Sequence, residues 1–171
     1  EFINAVAHLN QYSGVSFGVM ANYFRSSQFN ELEKFISFWP RDTPLSIEFR
    51  DPSWFEKSVK LEWQQLFKEN NIVSLITDTP GRRDVAHFNL SSDELFIRYV
   101  GDFAHPSDQI RIISWVNKIK ELRSLGLNKV WFYVHQPGEN RSRIIDFYNM
   151  LIEKLNIEFN LNLTPLVNYS K

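Results

Sequence analysis

Apolar residues gather into five short runs rich in β-branched and aromatic side chains, and helix-like sequence follows each one. The runs are Val15 to Asn22, Leu45 to Arg50, Ile72 to Asp78, Leu95 to Gly101 and Lys129 to Gln136. Asp51-Pro52 closes the second, Thr79-Pro80-Gly81 the third and Pro137-Gly138 the fifth, all strong turn signals. Between them the period changes to that of amphipathic helices. Asn30 is the expected cap of a helix carrying Leu32, Phe35, Ile36 and Trp39, which Pro40 stops. Val59, Trp63, Leu66 and Phe67 make the next apolar stripe. Ser107 is the expected cap of a helix from Ile110 to Leu122, with Gly126 just past its end. Ile144, Phe147, Leu151 and Leu155 mark a last helix, and Leu161 to Val167 reads as a short extension or closing segment.

Repeated strand–helix units imply an α/β fold with a parallel sheet and helical crossovers. Two architectures fit. One is an open doubly wound sheet, which five strands can complete. The other is a TIM-like (β/α)8 barrel, which takes about 250 residues, so that this chain covers its last five βα units. The helix-like start, Phe2 to Leu9, fits a helix whose strand is cut away. Opening on Glu1 rather than Met, the chain reads as the C-terminal portion of such a barrel, with upstream units missing. No linker or low-complexity segment divides it, so residues 1–171 read as a single domain.

Composition narrows the function classes. At 43% hydrophobic and 15% aromatic residues, the chain can fill a large core. A formal net charge of -1 excludes a generally basic nucleic-acid binder, so any anion site must be local. The absence of cysteine excludes disulfides, thiolate metal sites and a cysteine nucleophile, and fits a cytoplasmic protein. No apolar run approaches the roughly 20 residues that cross a bilayer, and no signal peptide is visible, so no membrane association is expected.

Arginine is segregated. Arg25, Arg50, Arg82, Arg83, Arg98, Arg141 and Arg143 fall at or just after strand C-terminal ends, whereas Arg41, Arg111 and Arg123 lie elsewhere. Lysines sit mostly on helices. Arginine offers a planar fork of donors suited to carboxylate and phosphate, and parallel α/β folds bind ligands at the strand C-terminal ends.

Strand alternation then assigns faces. Leu45, Ile47 and Phe49 form an apolar face, leaving Ser46, Glu48 and Arg50 on the other, which points inward in a barrel. Ser74, Ile76 and Asp78 share a face, as do Phe96, Arg98 and Val100, and Trp131, Tyr133 and His135. The expected converging set is Glu48, Arg50, Asp78, Arg98, Tyr133 and His135. Glu48, Asp78 and His135 are the candidate acid–base groups. Arg50 and Arg98 are the candidate anion clamp, with Tyr133 beside them. Arg82 and Arg83 stand in a charged turn that reads either as solvated or as an anion-contacting loop. Arg141 and Arg143 stand at the start of a helix, where free amides favour anions. Trp54 is one of several aromatics after strands, suited to packing loops over the mouth or to stacking on a ligand. A structural ion-pair network closing the barrel top is the competing reading for Glu48 and Arg50.

Two carboxylates and a histidine near one pocket also suggest a divalent metal, although no histidine-rich spacing signature supports it. His8 reads as structural, and His87 and His105 as loop residues. No dinucleotide fingerprint, Walker loop or nucleophile elbow occurs.

Several of these positions resemble the YecE-like family, the domain of unknown function seventy-two. Ile47-Glu48-Phe49-Arg50-Asp51-Pro52-Ser53-Trp54-Phe55 is similar to its Glu-Phe-Arg-x-Pro-Ser-Trp segment. Asp78 fits the family's next strand, and Phe96-Ile97-Arg98-Tyr99-Val100-Gly101 resembles its Tyr-x-Arg-x-His-Gly strand. The resemblance spans roughly Gly14 to Leu155 and implies a TIM barrel with its site at the strand ends, but no settled reaction. The chain departs from the pattern at Val19-Met20-Ala21-Asn22, at Val100 and at His135-Gln136. The expectation is an arginine-rich anion site. It would serve either a hydrolase of a phosphorylated, carboxylated or nucleic-acid-related substrate, or a non-catalytic nucleotide- or anion-binding module. Substrate, metal dependence and oligomeric state stay open.

Overall fold

A computed structural model describes residues 15–102, 105–135 and 142–167; of Arg83 and Ser142 it describes the backbone alone. The expected helix at Phe2 to Leu9, with His8, lies outside these residues, as do Phe103, Gln136 and Arg141.

Five parallel strands form one sheet in the order β1-β2-β3-β4-β5. They are β1 (Ser16–Val19), β2 (Leu45–Glu48), β3 (Ile72–Asp78), β4 (Glu94–Val100) and β5 (Lys129–His135). The helices are α1 (Phe29–Phe38), α2 (Lys57–Glu69), α3 (Pro106–Ser124) and α4 (Ser142–Phe159). Sequential strand order with every pair parallel requires crossovers; α1, α2 and α3 supply three of them, whereas β3 and β4 are joined by a loop that holds only the 3-10 turn Arg83–Val85, where the sequence pattern predicts a helix. The sheet curls into a half-barrel.

The helices cover its convex face in two clusters. Leu32 and Ile36 of α1 and Trp63 and Phe67 of α2 pack on Leu45, Ile47 and Phe49. Ile112, Trp115, Val116 and Ile119 of α3, with Phe147 and Leu151 of α4, pack on Ile76, Leu95, Ile97 and Tyr99. A smaller cluster of Val15, Val73, Leu75 and Phe96, flanked by Trp131 and Tyr133, fills the concave side.

Two helix starts differ from the sequence expectation. Gln28 precedes α1, so Asn30 falls inside its first turn. At α3 the cap is His105, whose side chain accepts from the Ser107 N–H, and Pro106 occupies the first helical position. Proline suits that position because its missing N–H would have no helical partner. Gly126 takes φ +105° after α3, a left-handed conformation that glycine adopts without steric cost. Residues 161–167 run back along α4. The Asn156 side chain bonds both the N–H and the C=O of Leu163, and Asn149 does the same for Leu166.

Candidate functional site

The segment after β2 sets the geometry. Pro52 has no N–H to continue the ladder, and Asp51 caps the 3-10 turn Pro52–Phe55 by accepting from the Ser53 N–H at 3.0 Å. The turn is tied to the β1 loop, because Ser53 Oγ accepts from the Ser26 N–H and the Trp54 indole donates to the Phe24 carbonyl at 2.7 Å. Arg25 adds an ion pair with Asp51 at 3.6 Å. Trp54 is fully buried and stacked on Phe49 with ring centroids 4.2 Å apart. It is a core residue that anchors the loop, and no face of it is open for stacking on a ligand.

Glu48 and Arg50 leave this strand toward the concave side. The Arg98 Nε and Nη2 groups donate to the two oxygens of Glu48, each at 2.8 Å. Arg50 Nε donates to Oε1 of the same carboxylate at 2.9 Å. Register explains the reach: Thr77 of β3 pairs with Arg98 of β4, and a short side chain there lets the guanidinium cross the strand between. Glu48 is 1% exposed. Burial alone would raise its pKa, but hydrogen bonds and charge from Arg98 and then Arg50 outweigh it and hold the carboxyl below its ordinary value.

Arg82 joins from the loop after β3. Its Nη2 donates to the Arg50 carbonyl at 2.9 Å, and Nε and Nη2 grip the Asp84 carboxylate. Arg50, Arg82 and Arg98 with Glu48, Thr77, Thr79 and Asn22 line a cavity of about 130 Å³. Among the described residues, three guanidinium groups meet two carboxylates at this cavity and its rim, Glu48 and the Asp84 that Arg82 grips, which leaves one positive charge over. The Nη groups of Arg50, and Nη1 of Arg98, have no hydrogen-bond partner among the described residues. The Thr77 hydroxyl is buried beside them and likewise has none. Larger cavities lie elsewhere. One of about 510 Å³, bounded by Leu127, Phe132, Leu155 and Phe159, opens near the start of β5, away from the strand ends.

Asp78 does not converge with Glu48. It lies on the convex side, where Arg111 of α3 contacts it through Nε and Nη2, at 3.0 Å in the closest pair, and the Trp115 indole donates to it at 2.8 Å. Arg111 also donates to the Val100 carbonyl and to Asp108, and lies over the Tyr99 ring at 4.4 Å. Burial first, then the neighbouring carboxylates, push the Tyr99 hydroxyl well above its ordinary pKa despite Arg111, so it stays protonated and donates to Asp108. This network staples α3 to the ends of β3 and β4. Sequence reasoning passed over Arg111, although its i, i+3 spacing from Asp108 in one helix was a visible signal.

The other expected residues divide. Tyr133 pairs in register with Arg98, but its ring packs on Phe96 at 5.0 Å and Phe17 at 5.9 Å as part of the concave core. His135 pairs with Val100 two residues further on, is exposed, and is not among the residues lining the cavity. The Arg83 side chain and Arg141 lie outside the described residues. Among the described residues, no group of three or more histidine, aspartate and glutamate side chains could hold a metal ion. No described helix is long and apolar enough to cross a membrane.

A family model described as protein of unknown function DUF72 matches residues 1–166. The chain belongs to the DUF72 family. No curated protein matches it. Among solved structures it is similar to a DUF72 family protein of Enterococcus faecalis V583 in two crystal structures, both at 16% identity. One has a TM-score of 0.71 over 94% of this chain and 67% of that one, the other 0.67 over 99% and 68%. A DUF72 family protein of Thermotoga maritima MSB8 is also similar, with 16% identity and a TM-score of 0.63 over 88% of this chain and 63% of that one. The chain thus spans about two-thirds of the length of these DUF72 relatives. Identity this low shows the shared fold alone.

Proposed function

We propose that this protein binds a small anion at the C-terminal ends of its strands, between Arg50 and Arg98, with Arg82 at the rim. One observation carries the reading: among the described residues the charged groups at the cavity sum to an excess of one positive charge, and guanidinium edges there have no partner. Glu48 spends its charge on orientation. It accepts three arginine hydrogen bonds, and these fix the two forks while leaving one unit of charge for the ligand. A carboxylate so engaged, with its pKa held down, is a positioning group rather than a proton acceptor. In this reading the half-barrel is an arc of a (β/α)8 barrel, and the site is at the ligand-binding end of that architecture.

The test is an anion titration followed by thermal stability, with chloride at matched ionic strength as the control. The wild-type protein gains stability as RT ln(1 + L/Kd), rising with the anion concentration L. Arg50→Gln, which leaves Glu48 its bidentate partner Arg98, loses that gain. Equal stabilisation of both proteins by every oxyanion tried removes the proposal.

A further inference from the structure

The Thr77 hydroxyl has a consequence for what the site accepts. Thr77 is 7% exposed, and its Oγ1 is a buried side-chain atom without a hydrogen-bond partner among the described residues. Buried hydroxyls are almost always satisfied, because leaving one unpaired costs the desolvation of the group. The oxygen itself has no surface open to solvent, so the side chain must turn about χ1 to present it to a ligand. Thr77 stands on the concave face in register with Arg98, lines the same cavity as Glu48, Arg50 and Arg82, and sits between the strands that carry Glu48 and Arg98. The cavity therefore has the Arg50 fork and Arg98 Nη1 on its walls, and a neutral hydroxyl one side-chain rotation away on the strand between them.

Resting on the anion-binding reading above, we propose that the ligand group is a tetrahedral oxyanion of the phosphate-monoester type, with Thr77 donating its hydroxyl to one oxygen while Arg50 and Arg98 take others. Shape decides between anion classes. A carboxylate is planar, and its two oxygens are matched by a single guanidinium fork, which leaves the hydroxyl unpaired. A tetrahedral group directs oxygens along separate axes, so one reaches Thr77 while the others meet the two arginines. The single excess charge suits a group carrying one to two negative charges. Thr77 is then a specificity-determining residue, whose hydroxyl is costly in the free protein and satisfied only when the ligand is bound.

Calorimetric titration tests this with inorganic phosphate, sulfate, glycerol 3-phosphate and acetate on wild type, Thr77→Val and Thr77→Ser. Wild type is expected to bind phosphate at least about tenfold more tightly than acetate, as one charge-assisted hydrogen bond is worth. Thr77→Val is expected to lose about that factor for phosphate and nothing for acetate, and Thr77→Ser to restore it. Without ligand, Thr77→Val is expected to melt about 2–4 °C above wild type, because an unpaired buried hydroxyl has gone. Tighter binding of glycerol 3-phosphate than of phosphate or sulfate marks an ester as the ligand; a preference for the free ions marks an inorganic oxyanion. Phosphate binding unchanged in Thr77→Val, or acetate preferred by wild type, overturns the proposal while anion binding stands. Binding of no anion to wild type overturns the anion site itself and this inference with it.

Discussion

Arg98 grips both oxygens of Glu48 at 2.8 Å although the two residues are fifty positions apart and stand on strands separated by β3. The pair crosses the concave face like a strut. Breaking it from one side leaves charge without a partner in a largely buried place. Glu48→Gln is therefore expected to destabilise by about 3 kcal/mol, the low end for a buried pair because the Arg98 side chain keeps some solvent contact. Glu48→Leu with Arg98→Met, which removes both charges, should recover most of the loss. Urea denaturation of wild type, Glu48→Gln and the double variant compares the three, and a double variant no better than Glu48→Gln would contradict the strut.

Asp78 gives the opposite separation of effects. Its partners Arg111 and Trp115 belong to α3, on the far side of the sheet from the cavity. Asp78→Asn is expected to lower stability by about 2–4 kcal/mol, since Arg111 loses its charged partner there, while anion affinity of the folded protein stays at the wild-type value. Titration of the variant below its melting range checks this. A large loss of affinity with little loss of stability would return Asp78 to the site.

Trp54 should behave as core rather than as a ligand platform. Trp54→Ala is expected to cost about 3–5 kcal/mol, as removal of a fully buried aromatic does. Trp54→Phe keeps the stack on Phe49 but leaves the Phe24 carbonyl without its donor, so its cost should be smaller. Chemical denaturation ranks the two, and neither variant should alter anion specificity.

His87 makes stability depend on pH. It is buried beneath Phe55, 4.9 Å between ring centroids, and accepts from the Asn89 N–H through Nδ1. Burial pushes its pKa down to about 4 from an ordinary 6.5. The unfolded chain therefore binds a proton between these values that the folded one refuses. The contribution is full above pH 6.5 and falls as pH drops toward 4, by about 3 kcal/mol at most. Glu48, whose pKa is lowered on folding, adds a loss of the same sign below its ordinary value of 4.5. Melting temperature measured across this range should fall with acidity for wild type and fall less between pH 6.5 and 5 for His87→Phe. Parallel curves would contradict the buried neutral imidazole.

The sequence made the strands legible because each is a compact apolar run closed by turn residues; β3 spans Ile72–Asp78, as expected from its pattern. Glu48 and Arg50 were also legible, since in β2 the polar residues alternate with Leu45, Ile47 and Phe49. In β3 that signal vanishes, because buried polar residues stand on both faces, Thr77 on one and Ser74 and Asp78 on the other. A strand covered on both faces has no solvent side to select polar residues, so Ser74 and Asp78 suggested the wrong parity. Ser74 is instead met by Ser91 through its backbone N–H, and Asp78 by α3. The inward residues are Val73, Leu75 and Thr77, which only the pairing of Thr77 with Arg98 reveals. The role of Trp54 escaped for a related reason, because an aromatic after a strand looks the same in sequence whether it stacks on a ligand or on Phe49.

The most direct test is an anomalous difference map from crystals grown with tungstate, a heavy tetrahedral oxyanion. The account expects a peak within hydrogen-bond reach of Arg50 and Arg98 Nη1 and of Thr77 Oγ1, absent from Arg50→Gln crystals grown in the same way. A map with no peak in that cavity, in wild-type crystals where tungstate occupies other places, would contradict it.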